Sequence, residues 1–278
     1  MNKSVLKKVA FGMLFFVLIV FRPHAHVVEQ TDSPRGVAKE DQAAAETSVG
    51  KDEMGAGREE LTKTVRVNGV DVSHFQGQVD WQKVKADSIS YVYLKATDGI
   101  TYTDPKYIDN SSELYKVGLA FGSYHFFEPD DDPIDQAKHY ISVTSQQKDI
   151  LRPVLDVEIS RGKTPQEISE SVAKWLSYVE EDLNCQPIIY TYASYWEEFL
   201  GDDFTEYDLW LADYASTPNP PKNKQDWLMW QYSQKGKVNG ISGMVDRDYL
   251  QTNNGNLSSI TCAHRDNNPN LAVSSGEE

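Results

Sequence analysis

Eight short apolar runs, each ending on polar or aromatic residues, constrain the fold of this chain more than any other feature. They are Val67–Asp71, Tyr91–Thr97, Leu119–Phe127, Val154–Glu158, Ile188–Tyr192, Leu209–Asp213, Leu228–Tyr232 and Met244–Asp248. β-Branched and aromatic residues dominate them, so they read as strands. Eight strands close a barrel that its own side chains can fill.

The connections narrow the choice. Helices fit after the first runs, over Asp80–Ala86, Asp109–Val117, Pro133–Ser145 and Thr164–Leu183. Asp132 is placed to cap the third, with Pro133 at its first turn. Thr164 and Glu167 form a capping box for the fourth, whose Ile168, Val172, Trp175, Leu176 and Val179 repeat at helical spacing and should face the sheet. Beyond the fifth run only Tyr195–Leu200 looks helical; Ser216–Asp226 is a Pro/Asn/Lys loop and Ser233–Gly243 a Gly-punctuated turn. The expected fold is therefore α/β, an irregular TIM-like barrel of about five βα units followed by three strands with little helix, one of them antiparallel.

Barrel enzymes carry their chemistry at the carboxyl ends of the strands. At or near those ends lie Asp71, Asp98, His125, Asp156, Glu158, Tyr192, Asp213 and Gln231. The stretch Pro153–Glu158 is the most telling, because it ends on two acids separated by one residue. Strand side chains alternate faces, so Asp156 and Glu158 should point the same way, about 6.5–7 Å apart at Cα. Two acids that close push their pKa values apart, and one can hold a proton while the other stays charged. Tyr124, His125, Tyr190, Tyr192, Trp210, Trp230 and Tyr232 offer flat walls for a ligand as well as core packing, with Tyr124 and Trp210 best placed for a groove. The histidines have no metal-ligand spacing, and no cofactor is expected.

Bulk properties limit the partners. The 278 residues carry a formal net charge of −15, which argues against nucleic acid. Lys3, Lys7 and Lys8 precede the apolar run Val9–Phe21, so residues 1–26 read as a signal peptide or signal-anchor and the protein as exported. Residues 27–63 read as a disordered linker, 64–251 as the folded barrel and 252–278 as a flexible polar tail. Membrane contact is expected only through the N-terminal apolar segment, and the chain reads as a monomer. Cys185 and Cys262 are expected as free thiols or one dispensable bridge.

The string Val70-Asp71-Val72-Ser73-His74-Phe75-Gln76-Gly77, closing on Val79-Asp80-Trp81, resembles the opening of the glycoside hydrolase family 25 lysozymes. The resemblance continues through Lys95–Gly99, Gly122–Phe127, Pro153–Glu158, Leu209–Tyr214, Trp230–Ser233 and Val245-Asp246, covering about residues 66–250 in order. It implies an irregular barrel of five βα units and three further strands. It also implies cleavage of the β-1,4 bond between N-acetylmuramic acid and N-acetylglucosamine in peptidoglycan glycan strands. By position, Glu158 matches the general acid, Asp156 its partner carboxylate, and Asp71 and Asp246 the further acids. Asp98, Tyr124, His125, Tyr192, Trp210, Asp213 and Gln231 are the expected substrate contacts. One departure is Asp98, where members commonly carry Glu. Asp156 could serve as a nucleophile or orient the substrate's own 2-acetamido group; two acids on one strand approach the sugar from the same side, which favours the second route and net retention. The rival expectations are a glycan-binding protein without catalysis, a chitinase-like hydrolase, and a membrane-tethered structural protein.

Overall fold

The computed structural model describes residues 65–145, 147 and 151–262. The expected export segment and linker, and the tail from residue 263, lie outside the described residues. Strands β1 (Val65–Val72), β2 (Tyr91–Asp98), β4 (Ala120–Phe126), β5 (Val154–Asp156), β6 (Ile188–Tyr192), β7 (Leu209–Ala212), β8 (Trp227–Gly236) and β9 (Val245–Thr252) close an eight-stranded barrel. The two-residue strand β3 (Tyr102–Thr103) adds antiparallel to the end of β2. Neighbours from β1 round to β8 are parallel, whereas β9 runs antiparallel to both β8 and β1.

The connections explain this order. A parallel neighbour needs a crossover, supplied by α1 (Trp81–Ala86), α2 (Tyr107–Val117), α3 (Pro133–Thr144) and α4 (Pro165–Leu183). Between β6 and β7 the helix is shorter, α5 (Ala193–Tyr195) running into a π-helical turn over Trp196–Leu200. From β7 to β8 an irregular loop suffices, and among the eight barrel strands only β8 and β9 are joined by a turn that reverses the chain. Asp132 caps α3, and Thr164 with Glu167 forms the capping box of α4, as the sequence predicts. The predicted face of α4 (Ile168, Val172, Trp175, Leu176 and Val179) is buried.

Alternation along each strand separates two cores. Val70, Val92, Leu94, Phe121, Leu155, Ile189 and Leu211 face the helices. Val67, Tyr91, Tyr93, Val154, Ile188, Trp210, Met229 and Leu250 fill the barrel. Gly69 makes this filling possible, because a Cβ there would lie 2.2 Å from the Tyr91 ring.

The chain after β9 corrects one expectation. Residues 252–262, expected as the start of a mobile tail, close the bottom of the barrel. Ile260 is fully buried in the inner core, and its carbonyl accepts from the Arg152 backbone N–H at 2.8 Å. The Arg152 side chain donates to the carbonyls of Gln186 (2.8 Å) and Ser259 (3.0 Å) and pairs with Asp208. Cys185 and Cys262 form a disulfide across a sequence separation of 77. A lone apolar residue in a polar stretch gives little sign of this role, since its partners come from distant parts of the chain. Among the described residues no helix is long and apolar enough to cross a membrane.

Candidate active site

A cleft of about 220 Å³ opens at the carboxyl ends of the parallel strands. Glu158 lies past the last residue of β5, yet it keeps the strand's alternation. Three bonds from β6 hold that extension: the Val157 N–H donates to the Tyr190 carbonyl (3.0 Å), the Thr191 hydroxyl to the Val157 carbonyl (2.6 Å), and the Tyr192 hydroxyl to the Glu158 carbonyl (3.3 Å). Val157 is therefore buried outward, while Asp156 and Glu158 both line the cleft.

Asp156 and Glu158 stand side by side in the cleft wall, close enough for each carboxyl to act on the other. Burial, joined by the Glu158 charge, raises the Asp156 carboxyl well above the usual range. Burial also raises Glu158, opposed by Asp156 and by the Lys95 ammonium. Two buried carboxyls side by side favour holding one proton between them, and they titrate as a pair.

Asp71 and Asp246 face each other across the β1–β9 ladder and form another part of the wall. Burial, followed by the charges of Asp246 and Asp248, lifts Asp71 well above its ordinary value. Asp246 is lifted to about 6, by burial and then by Glu158. Gln231 Nε2 donates to Asp71 Oδ2 at 2.8 Å, while Gln231 Oε1 accepts from the hydroxyls of Tyr190 (2.9 Å) and Tyr214 (2.7 Å). The amide is thus fixed, and it points its N–H groups at the acid.

Of the expected site residues, Asp71, Tyr124, Asp156, Glu158, Trp210, Gln231 and Asp246 meet in this cleft. His125 does not. It sits one residue from Tyr124 on β4, so the pleat turns it outward beneath α3 and α4. There it is fully buried, bonded to Thr97 Oγ1 (2.7 Å) and Gln136 Oε1 (3.0 Å) and stacked on Trp175. Burial pulls its pKa down to about 3, so it is neutral. Asp98 pairs with Lys95 at 2.6 Å at the end of β2, outside the cleft lining. Asp213 also lies outside it and shapes its own loop, accepting from the backbone N–H groups of Ala215 (3.1 Å) and Asn219 (2.7 Å). Tyr192 braces the Glu158 backbone. Trp230 and Tyr232 pack with Tyr249 away from the cleft.

The cleft also holds Tyr214 and Gln234, which the sequence reading did not place there. Behind it lies Asp248, fully buried. Its signal was available: Asp246-Arg247-Asp248 has the same acid-x-acid spacing as Asp156-Val157-Glu158. Among the described residues no group of three or more His, Cys, Asp or Glu is arranged to hold a metal ion.

Acids gathered at the carboxyl mouth of a barrel, beside the aromatic rings of Tyr124, Tyr190 and Trp210, are the groups that glycoside cleavage calls for. The sequence profile of glycosyl hydrolases family 25 matches residues 70–241, and the chain belongs to that family. It is 33% identical over 183 residues to the autolytic lysozyme of Clostridium acetobutylicum, across 66% of this chain and 55% of that relative. The chain thus spans little more than half of that protein. It is 33% identical over 217 residues to lysozyme M1 of Streptomyces globisporus, across 70% of this chain and 72% of the relative. The crystal structure of the bacterial lysozyme from Streptomyces coelicolor superposes with a TM-score of 0.65 at 30% identity, covering 70% of this chain and 94% of that one.

Proposed function

We propose that the protein is a lysozyme of the muramidase type, cleaving the β-1,4 bond between N-acetylmuramic acid and N-acetylglucosamine in peptidoglycan. The observation that carries this reading is the adjacent Asp156–Glu158 pair in the cleft wall, beside Asp71 and Asp246. Glu158 is the less buried of the pair and gives the shared proton to the glycosidic oxygen as the C1–O bond breaks. Asp156, left charged, orients the substrate's acetamido group, whose carbonyl oxygen closes on C1. Water then opens that ring and returns its proton to Glu158, with net retention. Asp71 and Asp246 hold negative charge near the developing oxocarbenium centre. Tyr124, Tyr190 and Trp210 guide the sugar rings.

The same reading places the protein outside the cytoplasm, where peptidoglycan lies. The Cys185–Cys262 disulfide supports this, because such bonds persist in oxidising compartments. The protein works as a monomer, with residues 1–26 as its signal or anchor. The test is a side-by-side digest of purified peptidoglycan and chitin by the wild type and by Glu158→Gln. Release from peptidoglycan by the wild type alone supports the reading. Release by neither protein points to glycan binding only, and faster release from chitin points to a chitinase. A substrate analogue without the N-acetyl group that is still cut at the normal rate would rule out acetamido participation.

A further inference from the structure

The proposed reaction leaves one carboxyl without a task. Asp248 stands two residues along β9 from Asp246, facing the same inner side but one pleat deeper, with no solvent exposure. Burying an acid so deeply is costly unless something neutralises it. Its Oδ1 accepts the Trp210 indole N–H at 3.2 Å. Its Oδ2 is buried and has no N–H or O–H donor among the described residues. Across the β1–β9 ladder Asp246 stands opposite Asp71 and Gly69 opposite Asp248, so the side chain diagonal to Asp248 on the same inner face is the Asp71 carboxyl, with no Cβ at Gly69 between them. A fully buried carboxyl with one unmatched oxygen, diagonal to a second buried acid, is most cheaply accommodated with one proton held between the two.

The surroundings reinforce this preference. The charged groups facing the pair are Asp246 and Arg247 on β9 and Asp156 on β5. Tyr91, Tyr124, Tyr190 and Tyr214 surround Asp71, and Tyr232 joins Tyr91 near Asp248; burial first, then nearby acids, raises the first four hydroxyls, and burial raises Tyr232 against the pull of Arg247, so all five stay protonated. One arginine does not offset three acids on the β1–β9 wall. The two carboxyls also differ in depth. Asp71 is 8% exposed, lines the cleft and receives the Gln231 N–H. Asp248 receives the indole N–H on one oxygen and, among the described residues, no donor on the other.

We propose that Asp248 is a positioning residue: it shares one proton with Asp71, takes the buried end of that hydrogen bond, and leaves Asp71 with a single charge aimed into the cleft. The mouth then contains a second proton-sharing pair, with Asp71–Asp248 on β1 and β9 matching Asp156–Glu158 on β5. This inference rests on the muramidase reading, because it is measured through turnover.

The test compares Asp248→Asn and Asp248→Leu, with kcat/KM on purified peptidoglycan followed against pH. An amide can donate N–H to Asp71 and accept from Trp210. Asp248→Asn should therefore stay within about fivefold of wild type at its optimum. The acidic limb of its profile should move to higher pH, because an amide N–H is a weaker donor to the charged Asp71 than the carboxylic O–H it replaces, and Asp71 then takes up a proton more readily. Asp248→Leu leaves both partners unmatched and should fall by more than tenfold. A loss of more than about 100-fold in Asp248→Asn would mean that the charge of Asp248 is needed, which overturns the proposal. An unmoved acidic limb in Asp248→Asn also overturns it, since a packing role moves stability and not the profile. If Asp248→Leu does not fold, the Asp248→Asn limb decides alone. An inactive wild type defeats the muramidase reading, whereas an active wild type with an unmoved Asp248→Asn limb defeats only this inference.

Discussion

The two ends of the barrel use the same strands and treat polar groups in opposite ways. At the bottom, Arg152 is surrounded by acceptors on Gln186, Pro187, Asp208 and Ser259, and Ile260 seals the inner core beside the Cys185–Cys262 bridge. At the mouth, Asp71, Asp156, Glu158, Asp246 and Asp248 are buried or half-buried, and Lys95 is the ammonium that acts on the Asp156–Glu158 pair. The bottom satisfies its charge and holds the fold together. The mouth concentrates like charge, which costs stability and provides transferable protons. Changes at the mouth should therefore abolish chemistry and spare the fold, and changes at the bottom should do the reverse.

The largest effect is expected from Glu158→Gln. It removes the proton donor while keeping shape, and should lower kcat by about 10²–10⁴-fold with an unchanged thermal midpoint. At the opposite end, Ile260→Ala empties a site in the inner core. It should cost about 2–5 kcal/mol in urea unfolding while leaving kcat of the folded enzyme intact. A fall in kcat there would mean that the two ends are coupled.

His125→Phe tests a residue that belongs to neither end. It keeps the stack on Trp175 but strands the Thr97 and Gln136 partners, for about 1–3 kcal/mol of stability. KM for the glycan should not change; a raised KM would return His125 to the cleft.

The smallest effect concerns pH. Asp246 has a folded pKa of about 6 against an ordinary 3.8. Between those values the folded protein holds a proton that the unfolded chain has released, so stability falls as pH rises from about 4 to about 6. Asp246→Asn should flatten that slope and raise the thermal midpoint at neutral pH while lowering activity. Melting curves at pH 4 and pH 7 check the sign.

Much of this contrast was legible in the chain because a strand's period of two is visible in one sequence. All eight apolar runs became barrel strands, and the connection lengths anticipated a single antiparallel strand. Alternation also foretold that Asp156 and Glu158 share a face, although Glu158 lies past the strand and relies on Thr191 and Tyr192 for its place. The same rule, applied strictly, would have separated Tyr124 from His125 and joined Asp248 to Asp246. The roles of Asp98 and Asp213 were less accessible, since a short acid at a strand end binds Lys95 or a loop N–H as readily as a sugar. Ile260 and the disulfide were hidden for another reason: their partners are brought together only by closure of the barrel. Strand β3 is too short to carry a period at all.

The most direct test of the proposed activity is mass spectrometry of the muropeptides that the wild type releases from defined peptidoglycan. The account predicts fragments ending in reducing N-acetylmuramic acid, absent from the Glu158→Gln digest. Fragments ending in reducing N-acetylglucosamine, or equal release by the variant, would contradict it.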